Sequence, residues 1–388
     1  MTLTEHVPQV DTLALEPGDQ ISESLVRTLP GSAHSSSEVF AAEQEPIFET
    51  MWVCALRASE LPGPGDFRTV QVGREGIIVS RDRKGRLRAF FNLCRHRGAR
   101  VCSEGSGSGR RSSQCGHHAW TYDLDGRLIA APNPHEDARH RSGGVRPARR
   151  PRARVAGLRL DLRRRRRTLV RGDGDGCGAL SRLGDVESIE HHGVETLQVG
   201  QRITYDVKAN GKLIVENFME CYHCATIHPE LTEVLPEFAD GLAAQYVVGH
   251  GAEFGEDVQG FTVDGPEGLG RIPGVTDDQD RRYFAVTIRP NVFVNLVPDH
   301  VIFHRTYPMG PDRTIVQCDW LYLPEVVASG TDLTKSVKLF DLVNRQDFEA
   351  CEMCQAATDS KKYADGGVPV SSEHHIAEFQ SWATAAIA

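Results

Sequence analysis

Two pairs of potential metal ligands stand close together in the first third of the chain. Cys94 and His96 lie in CRHRG and Cys115 and His118 in CGHHAW, with eighteen residues between the pairs. Each pair supplies one thiolate and one imidazole. Two thiolates on one iron and two neutral imidazoles on the other define a Rieske [2Fe–2S] centre, with a potential between about −150 and +300 mV. A structural zinc site is the competing reading. Zinc fingers, however, order their ligands as a Cys pair and then a His pair, whereas here each loop brings one of each. The glycines between Gly105 and Gly109 leave the two loops free to bend together. The spacing selects His118 over His117 and leaves Cys102 unligated.

A second constellation lies in ENFMECYHCATIHPE, residues 216–230. His223 and His228 are five apart, about 140° round an unbroken helix. They can share one metal only where the helix loosens or ends, and Pro229 marks such an end. Two His plus one carboxylate with open positions form the facial triad of non-haem Fe(II) oxygenases. The third ligand must come from elsewhere. Asp347 in NRQDFEACEMCQ is the candidate, with Glu349 as the alternative. Glu220, three residues before His223, is expected on the same helical face, with a plain solvated residue as the other reading. Cys221, Cys224, Cys351 and Cys354 are read as core.

These residues need rigid elements to hold them. Glu38 to Trp52 has helical spacing, with Ser37 as its N-cap. FRTVQV, GIIVSRD and LRAFFNL read as antiparallel strands, and TYDLDGRLIA as a hairpin turning at Asp125-Gly126. From about Val194 a second region begins with strand-like ITYDVKANGKLIVEN and a helix around Met219–Ile227. RYFAVTIRPNVFVNLVP, HVIFHRTYPM and TIVQCDWLYLP then read as strands, and residues 332–358 as a long helix.

The first stretch, with WTYDLDGRL after its second ligand pair, resembles the Rieske domain of ring-hydroxylating oxygenase alpha subunits; His117 departs from the family's usual Tyr. The order Rieske pairs, H-x₄-H, C-terminal Asp347 followed five residues later by Glu352 is similar to the whole subunit. The resemblance implies an α+β protein, with an all-β Rieske domain followed by a helix-grip domain whose antiparallel sheet curls round the long helix. It implies a [2Fe–2S] cluster on Cys94, His96, Cys115 and His118, and a mononuclear Fe(II) on His223, His228 and Asp347. Glu220 would bridge to a Rieske histidine of a neighbouring subunit in a homotrimer. Electrons would come from NADH through a separate flavin/iron–sulfur reductase, since no G-x-G-x-x-G opens a βαβ unit here. ENFMECYHCATIHPEL, with Glu rather than Asp at 220, looks closest to oxygenases of glycine betaine, carnitine or proline betaine. Such a cation wants an aromatic cage; Phe284, Phe293, Phe303, Tyr307 and Trp320 are candidates, though each is read first as an ordinary core position. An aromatic-ring hydroxylase and an inactive homologue with a defective Rieske domain are the alternatives.

With 388 residues the chain can bury two cores. The expected division is a lead at 1–48, the Rieske domain at 49–137, an aberrant segment at 138–182 and the catalytic domain at 183–388. No apolar run approaches the roughly 20 residues of a membrane span, and the acidic start lacks the order of a signal peptide, so the expected location is the cytoplasm. There ten cysteines serve as ligands or core. A net charge of −9 gives no general reason to expect nucleic acid. That charge is uneven: Arg139 to Arg171 carries +13, leaving −22 for the rest. Runs of Arg, Pro, Ala and Gly are what G+C-rich DNA yields out of frame. We read this stretch as two compensating frameshifts, with a basic loop docking an acidic electron donor as the alternative.

Overall fold

The computed structural model describes residues 27–51, 53–132, 155–158, 179–181, 186–241, 249–265 and 268–388. The frameshift reading and most of the arginine-rich stretch lie outside them. Among the described residues no helix is long and apolar enough to cross a membrane.

The chain enters through α1 (Ser32–Ser35) and α2 (Ser37–Glu43). Ser36, not Ser37, caps α2, its Oγ accepting from the N–H groups of Glu38 and Val39. The expected helix to Trp52 stops early, because Pro46 has no N–H to continue the ladder and the chain widens into a π turn over Gln44–Glu49. A buried ion pair of 2.7 Å between Glu43 and Lys212 ties this lead to the second half of the chain.

The first sheet follows β1 (Val53–Arg57) and contains β2 (Phe67–Val72), β3 (Glu75–Arg81), β4 (Leu87–Phe91) and β5 (Ser106–Gly107) in the order β4-β3-β2-β5. A second small sheet joins β6 (Ser112–Gln114), β7 (Thr121–Asp123) and β8 (Leu128–Ala130). Its hairpin turns at Asp125-Gly126 as expected, with Gly126 at φ 77°. Within the segment at 138–182, β9 (Val155–Leu158) pairs parallel with β1, and β10 (Ala179–Ser181) joins the edge of the catalytic sheet.

After α3 (Val186–His191) comes β11 (Gln198–Val207). The run GKLIVEN, expected to continue as strand, forms α4 (Gly211–Asn217), opened by Asn210, whose side chain accepts from Lys212 N–H. A short apolar run bounded by Asn suits a buried helix as well as a strand. The helix expected around Met219–Ile227 is broken: α5 holds only Cys224–Ile227, and α6 (Pro229–Val234) starts anew at Pro229. The strands β12 (Ala252–Glu253), β13 (Arg282–Ile288), β14 (Val292–Leu296), β15 (Val301–Gly310) and β16 (Arg313–Tyr322) complete an antiparallel sheet in the order β10-β13-β14-β15-β16-β11, with β12 on β13. Then follow α7 (Pro324–Ser329), the 24-residue α8 (Thr334–Ala357) and α9 (His374–Ile387).

Strand parity decides what each face of this sheet buries. Tyr205, Ile302, Val316, Cys318 and Trp320 pack with Val337, Phe340, Val343 and Phe348 of α8. Phe284, Val286, Val294, Leu296 and Phe303 belong to a separate cluster with Ile189 and Leu197. The long helix thus lies in the hollow of the curled sheet, and residues on its inner face look onto β13 and β14.

Candidate metal centres

The two loops of the first constellation are copies of one design. Cys94 donates its N–H to Ala99 O and Cys115 to Trp120 O, five residues on in each case. Gly98 returns a bond to Cys94 O, and Ala119 to Cys115 O. Each loop buries its cysteine, 2% exposed at Cys94 and 1% at Cys115, in the core that also holds Tyr122 and Val101. Tyr122 Oη accepts from Arg95 N–H at 3.0 Å and lies 3.5 Å from Cys94 Sγ. The histidines point the other way. His96 and His118 are exposed, their rings 4.6 Å apart and edge-on, with Trp120 stacked on His96. Burial and the neighbouring His117, His96 and Arg97 disfavour a proton on His118; a neutral imidazole is the form that ligates. Buried sulfurs below and two exposed imidazoles above match a diiron cluster whose sulfur-bound iron is shielded. His117 packs on His118, ring centroids 3.8 Å apart. Cys102 is buried, with Arg110 Nη1 3.7 Å from its sulfur.

The second constellation converges from three elements. His223 precedes α5, His228 stands between α5 and α6, and Asp347 comes from the inner face of α8. One ligand atom from each lies within 4.8 Å of the other two. Asp347 Oδ1 is 3.2 Å from His223 Nε2 and 2.8 Å from His228 Nε2. Glu349, the alternative, is exposed on the far side of the helix. Glu220 does not share a helix with His223. It lies in the turn between α4 and α5, accepting from the N–H groups of Tyr222 and His223 and from His223 Nδ1.

Hydrogen bonding aims the three ligand atoms at one another. Gln346 donates its Nε2 to Glu230, which turns its carbonyl oxygen to His228 Nδ1 at 2.8 Å. A carbonyl only accepts, so Nδ1 carries the proton and Nε2 turns a lone pair inward. His223 is set the same way by Glu220. Asn217 Nδ2 lies 3.1 Å from both His223 Nε2 and Asp347 Oδ1. Between His228 Nε2 and Asp347 Oδ1, two acceptors meet at 2.8 Å, which requires a proton or a metal between them. Without metal, protons fill the role. Burial opposes charge on His223, but its hydrogen bonds to Asp347 and Glu220 outweigh it and lift the pKa to about 10. Burial likewise opposes charge on Asp347, yet the two histidines hold it below the usual carboxylate range. A divalent iron fits the same three atoms. Asn217, Gln346 and Glu230 had no sequence signal beyond nearness to the ligands, since their partners meet only in the folded chain.

The cavity over the triad, about 70 Å³, is lined by Phe218, Phe238, Tyr283 and Phe340 beside the ligands and, among the described residues, by no Lys or Arg. None of the five cage candidates lines it. Phe284 and Phe303 point to the other face of the sheet; Tyr307, two residues from Arg305 on that face, donates to Ala55 O. Trp320 is fully buried in the core, and Phe293 stacks behind Phe218, centroids 4.6 Å apart. Cys221 and Cys224 also line the cavity, and Cys351 donates towards Asn217 Oδ1. Cys354 is exposed rather than core.

Residues 194–388 match the ring hydroxylating alpha subunit (catalytic domain) family and residues 51–147 the Rieske [2Fe-2S] domain. The chain is 29% identical to the glycine betaine monooxygenase oxygenase subunit of Chromohalobacter salexigens, over 92% of this chain and 84% of that one. Its fold is similar to the quaternary ammonium Rieske monooxygenase CntA in complex with L-carnitine (TM-score 0.63, 24% identity, 93% and 95% of the two chains). It is also similar to naphthalene 1,2-dioxygenase from Rhodococcus sp. (TM-score 0.67, 19% identity, 93% and 94%). With a Rieske fold preceding a sheet-and-helix domain that gathers two histidines and an aspartate, the chain belongs to the ring-hydroxylating alpha-subunit family, as the oxygenase component of a reductase-fed system with a Rieske [2Fe–2S] cluster and a mononuclear iron.

Proposed function

We propose that this oxygenase hydroxylates an N-methyl group of a small quaternary ammonium compound, the hemiaminal then collapsing to formaldehyde and the tertiary amine. The observation that carries the reading is the cavity lining: four aromatic rings and the carboxylates Glu220 and Asp347, with no Lys or Arg among the described residues. Aromatic faces attract a quaternary ammonium by about 0.5–2 kcal/mol each, and the two carboxylates add to the attraction. The names of the relatives, glycine betaine and carnitine monooxygenase oxygenase subunits, support the same class.

In this reading Cys94, His96, Cys115 and His118 hold the cluster, and His223, His228 and Asp347 hold the iron. The reduced iron supplies O₂ activation. The protein's part is to fix both imidazoles through Gln346 and Glu220, keep the cavity apolar, and seat the methyl group beside the triad. Glu220, just beneath the surface next to the exposed Tyr222, would pass electrons from His96 or His118 of another copy in a homotrimer. The exposed Arg95, Arg97 and Arg100 around His96 suit an acidic docking partner. That partner would be a flavin/iron–sulfur reductase drawing on NADH, in a cytoplasmic system.

The test is turnover with a Rieske-oxygenase reductase, NADH and O₂. Formaldehyde formed in step with consumption of glycine betaine, carnitine or proline betaine supports the proposal. Ring hydroxylation of arenes without betaine turnover would establish the aromatic-ring reading instead. Bound iron without acid-labile sulfide would identify an inactive homologue.

A further inference from the structure

A continuous chain of buried hydrogen bonds leads away from the iron cavity. Tyr283, on its wall, donates to Asn295 Oδ1 at 2.7 Å. Asn295 Nδ2 meets His304 Nδ1 at 3.3 Å, and His304 Nε2 meets Asn344 Oδ1 at 3.0 Å. Asn344 Nδ2 donates to Tyr205 Oη at 3.4 Å, and Tyr205 donates to Asp341 Oδ1 at 2.6 Å. Three of these residues sit on one face of β13, β14 and β15, two on α8 and one on β11.

The last link fixes the direction of all the others. A carboxylate only accepts, so the single proton of Tyr205 is committed to Asp341. Asn344 must then be the donor to Tyr205, which turns its carbonyl oxygen to His304. That oxygen needs the proton on Nε2, so Nδ1 is an acceptor and draws the amide of Asn295. The carbonyl of Asn295 finally takes the proton of Tyr283. Reversing any one link would set two acceptors or two donors face to face in the core, which costs about 1–3 kcal/mol per buried group.

We propose that Asp341, at the outer edge of the long helix, sets the hydrogen-bond polarity of Tyr283, so that Tyr283 can accept from a ligand in the iron cavity but cannot donate to one. Tyr283 is thereby a specificity-determining residue. It presents an electron-rich ring and lone pairs to a cationic head group and gives no hydrogen bond to an oxygen of a neutral or anionic one. Asp341 acts through the chain as a positioning residue, held by Arg345 Nε at 3.1 Å from its other oxygen. Burial keeps His304 neutral, with its pKa lowered to about 4, as a relay of fixed tautomer requires. The inference rests on the quaternary-ammonium reading only for the ligand that Tyr283 favours.

Two measurements test it on the holoenzyme. Neutron diffraction from deuterated crystals should show the deuteron of His304 on Nε2 and that of Tyr283 aimed at Asn295. A deuteron on His304 Nδ1 overturns the proposal. Kinetically, the ratio of kcat/KM for a trimethylammonium substrate to that for its uncharged tert-butyl analogue should fall about fivefold in Asp341→Leu and in Tyr205→Phe, one modest hydrogen bond's worth. Unchanged ratios in both folded variants also overturn it. If the wild-type enzyme turns over neither compound, the functional proposal fails, and the neutron result still decides the polarity of the chain.

Discussion

Gly98 and Ala119 occupy the same place in the two loops that carry the Cys-His pairs. Each returns its N–H to the cysteine four residues before it, and each has positive φ, 78° at Gly98 and 54° at Ala119. Glycine adopts that backbone freely; alanine does so at a cost of about 1–2 kcal/mol. We therefore expect Ala119→Gly to be neutral or stabilising by up to about 1 kcal/mol, and Gly98→Ala to destabilise by about 1 kcal/mol or more. Chemical denaturation of both variants, with the Rieske EPR signal as a check on the loops, measures this. Equal losses in the two variants would mean that the loops are not equivalent.

The loops were legible because their ligand types and spacing are local. Cys94, His96, Cys115 and His118 are reached without any tertiary knowledge, and so are His223, His228 and the stop at Pro229. Asp347 lies more than a hundred residues away and needed the family resemblance. The five aromatics are core, as first read, and the rings that do line the cavity were missed because aromatic content alone does not reveal strand parity. Phe284 and Tyr283 are neighbours in sequence, yet one faces the far cluster and the other the iron cavity. GKLIVEN failed for a related reason, since seven residues are too few to separate a buried helix from a strand.

Gln346 should matter to metal binding although it touches no metal. It holds His228 Nδ1 at 2.8 Å and is itself held by Glu230 at 3.4 Å. Gln346→Ala should weaken mononuclear iron binding about 10–100-fold, as removal of such supporting groups does. Sulfide and the cluster's visible spectrum should be unaffected. Iron analysis after graded chelation reads the difference; wild-type retention would show that His228 orients itself.

Glu60 joins the Rieske half to the catalytic sheet. Its carboxylate lies 2.8 Å from both Arg202 and Arg305 and 3.1 Å from Arg68. Burial pushes its pKa up, but Arg305 and Arg202 prevail and hold it at about 2, below the ordinary 4.5. A depressed carboxylate contributes stability that is full above its unfolded pKa and is lost as pH falls through its folded one. Glu60 should thus contribute roughly 3 kcal/mol above pH 4.5 that disappears towards pH 2. Glu60→Gln should be less stable than wild type at pH 6, with the gap closing as pH falls. A gap independent of pH would show that the charge is not what joins the halves.

Glu220→Gln separates the bridging role from a merely structural one. Glu220 has three hydrogen bonds in its own turn, from Tyr222 N–H, His223 N–H and His223 Nδ1. The amide's one oxygen can keep the two backbone bonds that Oε2 now accepts, while the bond from His223 Nδ1 to Oε1 is lost, and both metal centres should still load. What it loses is the negative charge and the second oxygen, with which a carboxylate could span His223 and a Rieske histidine of a neighbouring copy. We expect oxidation of the pre-reduced cluster, followed by stopped-flow absorption with substrate and O₂, to slow at least tenfold at unchanged iron and sulfide content. Glu220→Asp, which keeps the charge on a shorter arm, should recover part of the rate. If the Gln variant oxidises its cluster as fast as wild type, electrons reach His223 by another route, and Glu220 serves only to orient the imidazole.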